Sequence, residues 1–274
     1  MTWEKLEKMF NRATGASFSK SKGLLVFLVL AVCGLCSVIC RGASIGATPW
    51  MQMSLMFLPI FLCSGLLLAL GLVLIRLYQG EVQGARPPLL KVLRESGSLM
   101  RGIPYLTIPL IFAYLILWMI LGVFYLLKEI PHIGSSLGSI LSFGPLLLVL
   151  GSIVLGCLSI LILFFVTPAA ALQNDLKPKL AEKVLRRIRQ NPFFSVTMLL
   201  IGLFPATAIG IVLSLATLMT HILYIDGCSS FAIVMRWFVM MLPFCALLTP
   251  AVVFMFNFAC EAHVALVQKD PKTT

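Results

Sequence analysis

The chain has 274 residues, 60% hydrophobic and 11% charged, with a formal net charge of +11 and a mean hydropathy of +1.03. Soluble domains run at about 45–50% apolar and about 25% charged, so these figures exclude a soluble globular protein. The positive balance needs no nucleic acid, because anionic lipid headgroups are the ordinary counter-charge of a basic membrane face.

A helix of about 20 apolar residues crosses the hydrocarbon core, and backbone groups in lipid must be satisfied within the structure itself. The apolar runs here are continuous rather than alternating, which favours helices over a barrel. Six spans are predicted, at 23–40, 51–75, 103–127, 144–167, 195–219 and 237–259. The fold class is therefore an all-α polytopic integral membrane protein. It divides into a basic N-terminal segment (1–22), a six-helix transmembrane domain (23–260) and a short tail (261–274). The first span reads as an uncleaved anchor and not as a signal peptide. A long polar stretch precedes it, and Arg41 follows where small neutral residues are wanted.

The N-terminal tail, 76–102, 173–192 and the C-terminal tail together hold 18 of the 21 Lys and Arg residues; Arg41, Lys128 and Arg236 are the other three. The positive-inside rule then places both termini in the cytoplasm. The two long basic loops read as short amphipathic helices. Leu180, Val184 and Ile188 recur at helical spacing, flanked by Ala181 and Leu185, with Lys179, Lys183, Arg186, Arg187 and Arg189 mostly opposite. Leu89, Leu90, Leu93 and Met100 form a weaker stripe, broken by Gly97, beside Lys91, Arg94 and Arg101. Pro88 and Pro178 suit the first turns. These helices are expected to lie on the membrane, stripe in lipid and basic side chains on headgroups.

Lys91-Val92-Leu93-Arg94 returns as Lys183-Val184-Leu185-Arg186 at an offset of 92. The same offset carries 51–127 onto 143–219, which predicts a parallel hairpin repeat, unlike the inverted repeats of many transporters. A weaker echo, Thr167-Pro168-Ala169 and Thr249-Pro250-Ala251, suggests spans six and one as a third, circularly permuted hairpin, with Trp3 to Arg12 as its loop helix.

Within the spans, Gly202, Ala206, Gly210 and Ser214 recur every four residues, and Ser152 and Gly156 do the same in span four. Such stripes let helices approach closely, inside the bundle or against a membrane-protein partner or homodimer. Pro59, Pro109, Pro205 and Pro243 interrupt spans, and the carbonyls they free are tolerated against protein or a cavity.

Residues for chemistry are sparse. No Asp, Glu, Lys, Arg or His falls inside the predicted spans, which argues against a proton-coupled carrier or pump. His132, His221 and His263 lack metal-ligand spacing, and HExxH, GxSxG and Walker A motifs are missing. Asp226 and Glu129 are too few for a two-carboxylate site. Cys33, Cys36, Cys63, Cys157 and Cys245 lie mid-span and read as small hydrophobes; Cys40 and Cys228 fall at the outer face, where an oxidising compartment would let them pair. Glu261 and His263, with Asn257 one turn earlier, make a polar patch at the end of span six, read as a helix end or a ligand contact. No cofactor or metal is predicted.

Phe164-Phe165-Val166-Thr167-Pro168-Ala169, followed by a basic helix and Arg189-Gln190-Asn191-Pro192, resembles a pattern in bacterial six-helix membrane-domain families of unknown function. These include the membrane domain fused to some glycerophosphodiester phosphodiesterases. The resemblance covers the end of span four to the start of span five. It implies a bacterial inner membrane and no known reaction; these residues include no hydrolase domain, so that activity does not carry over. Two functions stay open: a non-enzymatic protein binding membrane lipids or partner proteins, or a permease or substrate-binding subunit for an uncharged solute. A polar cavity lined by Asn257, Thr107 or Thr197 would mark the second.

Overall fold

The computed structural model describes residues 3–85, 87–130, 143–173, 178–220 and 230–268. Cys228, His132, His221 and Asp226 lie outside the described residues, as do the side chains of Glu129, Lys179 and Lys183. All regular structure among the described residues is helical: α1 (Trp3–Gly15), α2 (Lys20–Ala43), α3 (Pro49–Val82), α4 (Leu89–Met100), α5 (Ile103–Glu129), α6 (Gly144–Leu161), α7 (Thr167–Gln173), α8 (Pro178–Gln190), α9 (Pro192–Thr220) and α10 (Ser230–Gln268). A π turn, Ile162–Val166, joins α6 to α7. Six helical segments are long and apolar enough to span a bilayer. The protein is a polytopic integral membrane protein.

Local chemistry sets the ends. Proline occupies the first turn of α3, α5 and α6, where its missing N–H costs nothing. Gly84 takes φ +76 just beyond α3, the left-handed conformation that stops a helix and that glycine adopts without strain. The π turn precedes Pro168, which has no N–H to donate, and Thr167 Oγ1 donates to the Ile162 carbonyl at 3.3 Å. A proline and an intrahelical bond to a side chain are ordinary causes of such an irregularity.

The second, fourth and sixth spans run furthest past their predicted ends, to Val82, Gln173 and Val267. α3 has 34 residues and is about 51 Å long; α10 has 39 and is about 58 Å long. Both exceed the roughly 30 Å hydrocarbon core. α2 and α10 run antiparallel, side by side: Gly42 meets Val234, Gly34 meets Met241, Cys245 Sγ lies 3.6 Å from the Leu30 carbonyl, and Gly23 meets Thr249. Beyond Thr249, α10 continues past the start of α2, and the last turn of α3 ends level with that start, where Glu81 meets Lys22. Lys22, Arg76 and Glu81 thus lie within the helices but outside the predicted spans 23–40 and 51–75, which carry no charge.

The largest core sits at this basic end. It joins Leu68, Leu72, Ile75 and Tyr78 of α3 to Phe164, Phe165 and Ala169–Ala171 of the fourth span and to Val253, Phe256, Phe258 and Ala262 of α10. Gly71 lets Phe256 in so closely that a Cβ there would fall 2.3 Å from its ring. In the opposite half a smaller cluster of Phe61, Tyr114, Leu121 and Leu148 holds spans two, three and four. There Phe61 stacks on Tyr114 at 4.7 Å, and the Tyr114 hydroxyl donates to the Ser54 carbonyl. Ile211, Val212, Leu215, Leu218 and Met219 of α9 are exposed, as expected of side chains that lipid covers.

The short helices correct a second expectation. The stripe of α8 is not turned to lipid: Leu180 and Val184 are buried in the main core, and Ile188 packs on it. In α4 the buried face is Val92, Ser96 and Leu99, whereas Leu90 and Leu93 are exposed. Ala13 of α1 is fully buried, and Leu6 and Met9 pack on the core. The physical reason is the overshoot of α3, α7 and α10. Apolar surface beyond the hydrocarbon has no lipid to cover it, so α1, α4 and α8 cover it instead.

The order long helix, basic helix, long helix recurs in 49–129 and 144–220, but the packing does not. α5 lies on α3, whereas the main partner of α9 is α10.

Candidate functional site at the basic end

Four helices meet in one polar cluster. Lys22, at the start of α2, is 1% exposed, and its Nζ lies 2.6 Å from Glu81 Oε2 on α3. The same ammonium sits 5.5 Å from the centre of the Tyr78 ring, a favourable cation–π position. The Tyr78 hydroxyl donates to Glu261 Oε1 of α10 at 2.6 Å. Arg12 of α1 donates to the same oxygen at 3.3 Å. One turn earlier on α10, Asn257 is fully buried; its Nδ2 donates to the Ala13 carbonyl at 3.5 Å, and its Oδ1 has no protein partner. Ser17 Oγ donates to that carbonyl too, at 2.7 Å. Phe10 packs edge-on against Phe254 at 5.0 Å. The cluster holds the N-terminal helix to the bundle through charge-assisted bonds, which are stronger than neutral ones.

Of the patch named from sequence, Asn257 and Glu261 belong to this cluster, and His263 is buried near Arg187 of α8. Lys22, Tyr78, Glu81 and Arg12 were missed. The signal available for Lys22 and Glu81 was a charge beside each end of an apolar run, but nothing in the sequence pairs residues so far apart.

A second polar feature lies alongside. Arg76, inside the second span, donates from Nη1 to Ser96 Oγ of α4 at 3.3 Å, and Ser96 is fully buried. Arg76 is coupled electrostatically to Glu95. Both line a cavity of about 550 Å³ between α3, α4 and α7. A third feature, an apolar cavity of about 240 Å³, is walled by Phe10, Phe18, Pro205, Ile209, Pro250 and Phe254; Pro205 is thus one span proline that does border a cavity.

The other predicted residues scatter. Lys91, Arg94, Arg101, Arg186 and Arg189 are exposed on the basic end, and Arg187 is half-buried. In the small-residue stripe only Gly202 is tightly packed: a Cβ there would lie 2.4 Å from Phe164 and 3.2 Å from Phe258. Gly210 and Gly156 have open space beside them, Ala206 is half-buried, and Ser214 is exposed. Ser152 is buried with its Oγ unpartnered. Thr107 is buried against Gly65 and donates to the Ile103 carbonyl, whereas Thr197 is exposed and donates to that of Phe193. The structure does not bring either to Asn257, which faces α1. Cys63 Sγ lies 3.7 Å from the Cys33 carbonyl, a thiol resting on a neighbouring helix.

Among the described residues, no group of three His, Cys, Asp or Glu side chains is placed to hold a metal ion. No family model, curated protein or solved structure matches this chain. What fold and cluster define is a six-span membrane protein whose described ion pairs lie at one end.

Proposed function

We propose that this protein is a non-enzymatic membrane protein that binds anionic lipid headgroups through its basic end, with both termini in the cytoplasm of a bacterial cell and the spans in its inner membrane. The observation that carries the reading is the way α1, α4 and α8 sit. Their apolar faces are sunk into the bundle, so Lys5, Lys8, Lys91, Arg94, Arg186 and Arg189 stand outward on one surface. Trp3, Phe18, Tyr105 and Phe193 are exposed at the same end, aromatic side chains of the kind that settle at headgroup level. At the other end Trp50 and Tyr125 lie 6.4 Å apart and Arg41 covers Trp237 at 4.7 Å, which supplies the opposite interfacial belt. The carboxylates of the cluster are engaged by cations, which favours a binding role over acid–base catalysis.

The test is reconstitution in phosphatidylcholine bilayers with and without phosphatidylglycerol, with Lys91, Arg94, Arg101, Arg186 and Arg189 changed to Gln. Each basic residue near an anionic surface is worth about 1 kcal/mol, so the five-fold variant loses most of its retained phosphatidylglycerol. Unchanged retention overturns the reading. A reporter inserted within 132–140 that is active in the cytoplasm overturns the orientation.

A further inference from the structure

Five of the seven described cysteines gather where α2 meets α3 and α10. Cys33, Cys36 and Cys40 recur at helical spacing on one face of α2. The Cys63 thiol of α3 donates to the Cys33 carbonyl at 3.7 Å. The side chains of Cys33 and Cys36 both lie within hydrogen-bonding reach of Cys63, and Cys36 is likewise within reach of Cys40. Cys245 of α10 joins them, its thiol donating to the Leu30 carbonyl at 3.6 Å. Among the described residues no three His, Cys, Asp or Glu side chains are placed for a metal ion, so the chemistry open to these sulfurs is that of thiol pairs. Access divides the cluster. Cys63 is 6% exposed, whereas Cys33 and Cys36 are half-buried. Their neighbours Val32, Leu35 and Ile39 are exposed, as side chains on the lipid side of a span are. An oxidant dissolved in the hydrocarbon therefore reaches the α2 thiols, and Cys63 stands behind them as the second sulfur.

We infer that Cys63 is the common partner in a disulfide that ties α3 to α2 through Cys33 or Cys36, and that a lipid-soluble quinone forms it. Two S–H bonds break and one S–S bond forms. The two electrons and two protons pass to the quinone, whose carbonyl oxygens become the hydroxyls of the quinol. Oxidants that carry charge, such as glutathione disulfide, are kept out by the cost of bringing charge into the hydrocarbon. A disulfide demands side chains that already face each other at short range, and the contacts of Cys63 with Cys33 and Cys36 supply that. The bond joins residues 30 apart in the chain. It also fixes a lightly held helix, because only Lys22, Val26, Gly34 and Val38 are buried along α2. The Lys22–Glu81 pair secures the start of α2 to α3, and the disulfide secures its middle. The thiols stand apart from the basic end, so the inference goes beyond the headgroup-binding role and does not depend on it.

The experiment takes the full-length chain, reduced and held without oxygen in phosphatidylcholine nanodiscs, and adds decylubiquinone or glutathione disulfide. The ring of decylubiquinone is fully substituted, so it accepts electrons but offers no open carbon for thiol addition. Remaining thiols are blocked under denaturing conditions, and the intact mass and the cross-linked peptides are read. With the quinone, the wild type loses two hydrogens, Cys63 is found joined to Cys33 or Cys36, and quinol appears in step with the link. Glutathione disulfide leaves the protein reduced. C63S and the double variant C33S/C36S each lose the link, whereas C157S, which changes a thiol outside the cluster, keeps it. The wild-type measurement stands without any variant, so a folding defect in one of them does not blunt the test. A wild type that stays unlinked, a link that survives in C63S, or equal linking by glutathione disulfide overturns the inference.

Discussion

Lys22 Nζ lies 2.6 Å from Glu81 Oε2 while only 2% of the lysine side chain is exposed. The pair joins the start of the first span to the end of the second, in a place where the two charges reach water unequally. Glu81 keeps 32% of its side chain exposed, so the two partners are not equivalent. Removing the carboxylate strands a buried ammonium, whereas removing the ammonium leaves a carboxylate that water still reaches.

Glu81→Gln therefore destabilises the protein by about 3 kcal/mol, the scale for breaking a buried pair from one side. Lys22→Met costs markedly less, and Lys22→Met with Glu81→Gln recovers most of the loss. Thermal unfolding in detergent, run as a double-mutant cycle, checks it; equal losses for the two single variants would refute the asymmetry.

Glu261 is held by one buried and one exposed donor. Tyr78→Phe removes a hydrogen bond to a charged group, worth about 1.5–3 kcal/mol. Arg12 is 47% exposed, and Arg12→Gln costs about 0.5 kcal/mol or less after solvent screening. Hydrogen exchange over Trp3–Gly15 should rise in the first variant and change little in the second.

The stripe of small residues in α9 is uneven, and alanine scanning reads that directly. Gly202→Ala forces a Cβ to within 2.4 Å of Phe164 and costs about 1–3 kcal/mol, as overpacking does. Gly210→Ala meets nothing within 4 Å and is neutral, or stabilising by up to about 1 kcal/mol through helix propensity. Melting temperatures of the two variants moving together would contradict this packing.

The orientation of α8 separates two neighbours in sequence. Val184 is 6% exposed and Leu185 is 59% exposed. Val184→Asp buries an unpaired carboxylate in the main core and abolishes folded, monodisperse protein; Leu185→Asp leaves it intact. Size-exclusion profiles after membrane extraction decide, and the reverse result would return the stripe to the lipid surface.

Much of the architecture was legible in the sequence because lipid leaves few choices: a long continuous apolar run must close its own backbone bonds, so six such runs mean six helices. Charge segregation was legible for the same reason, since basic loops stand out against apolar spans. The ends of α3 and α10 were not legible. Tyr78, Glu81 and Glu261 are all compatible with helix, so nothing local announces that the helix goes on beyond the hydrocarbon. Nor does an amphipathic period say what its apolar face meets, lipid or protein, because both are apolar. Only the tertiary structure decided that, by carrying α3, α7 and α10 past their predicted span ends and leaving apolar surface for α1, α4 and α8 to cover. The cluster of Lys22, Glu81, Tyr78 and Glu261 follows from that overshoot. Its members stand 59 and 183 residues apart along the chain, and a hydrogen bond between them exists only once the long helices have been laid side by side.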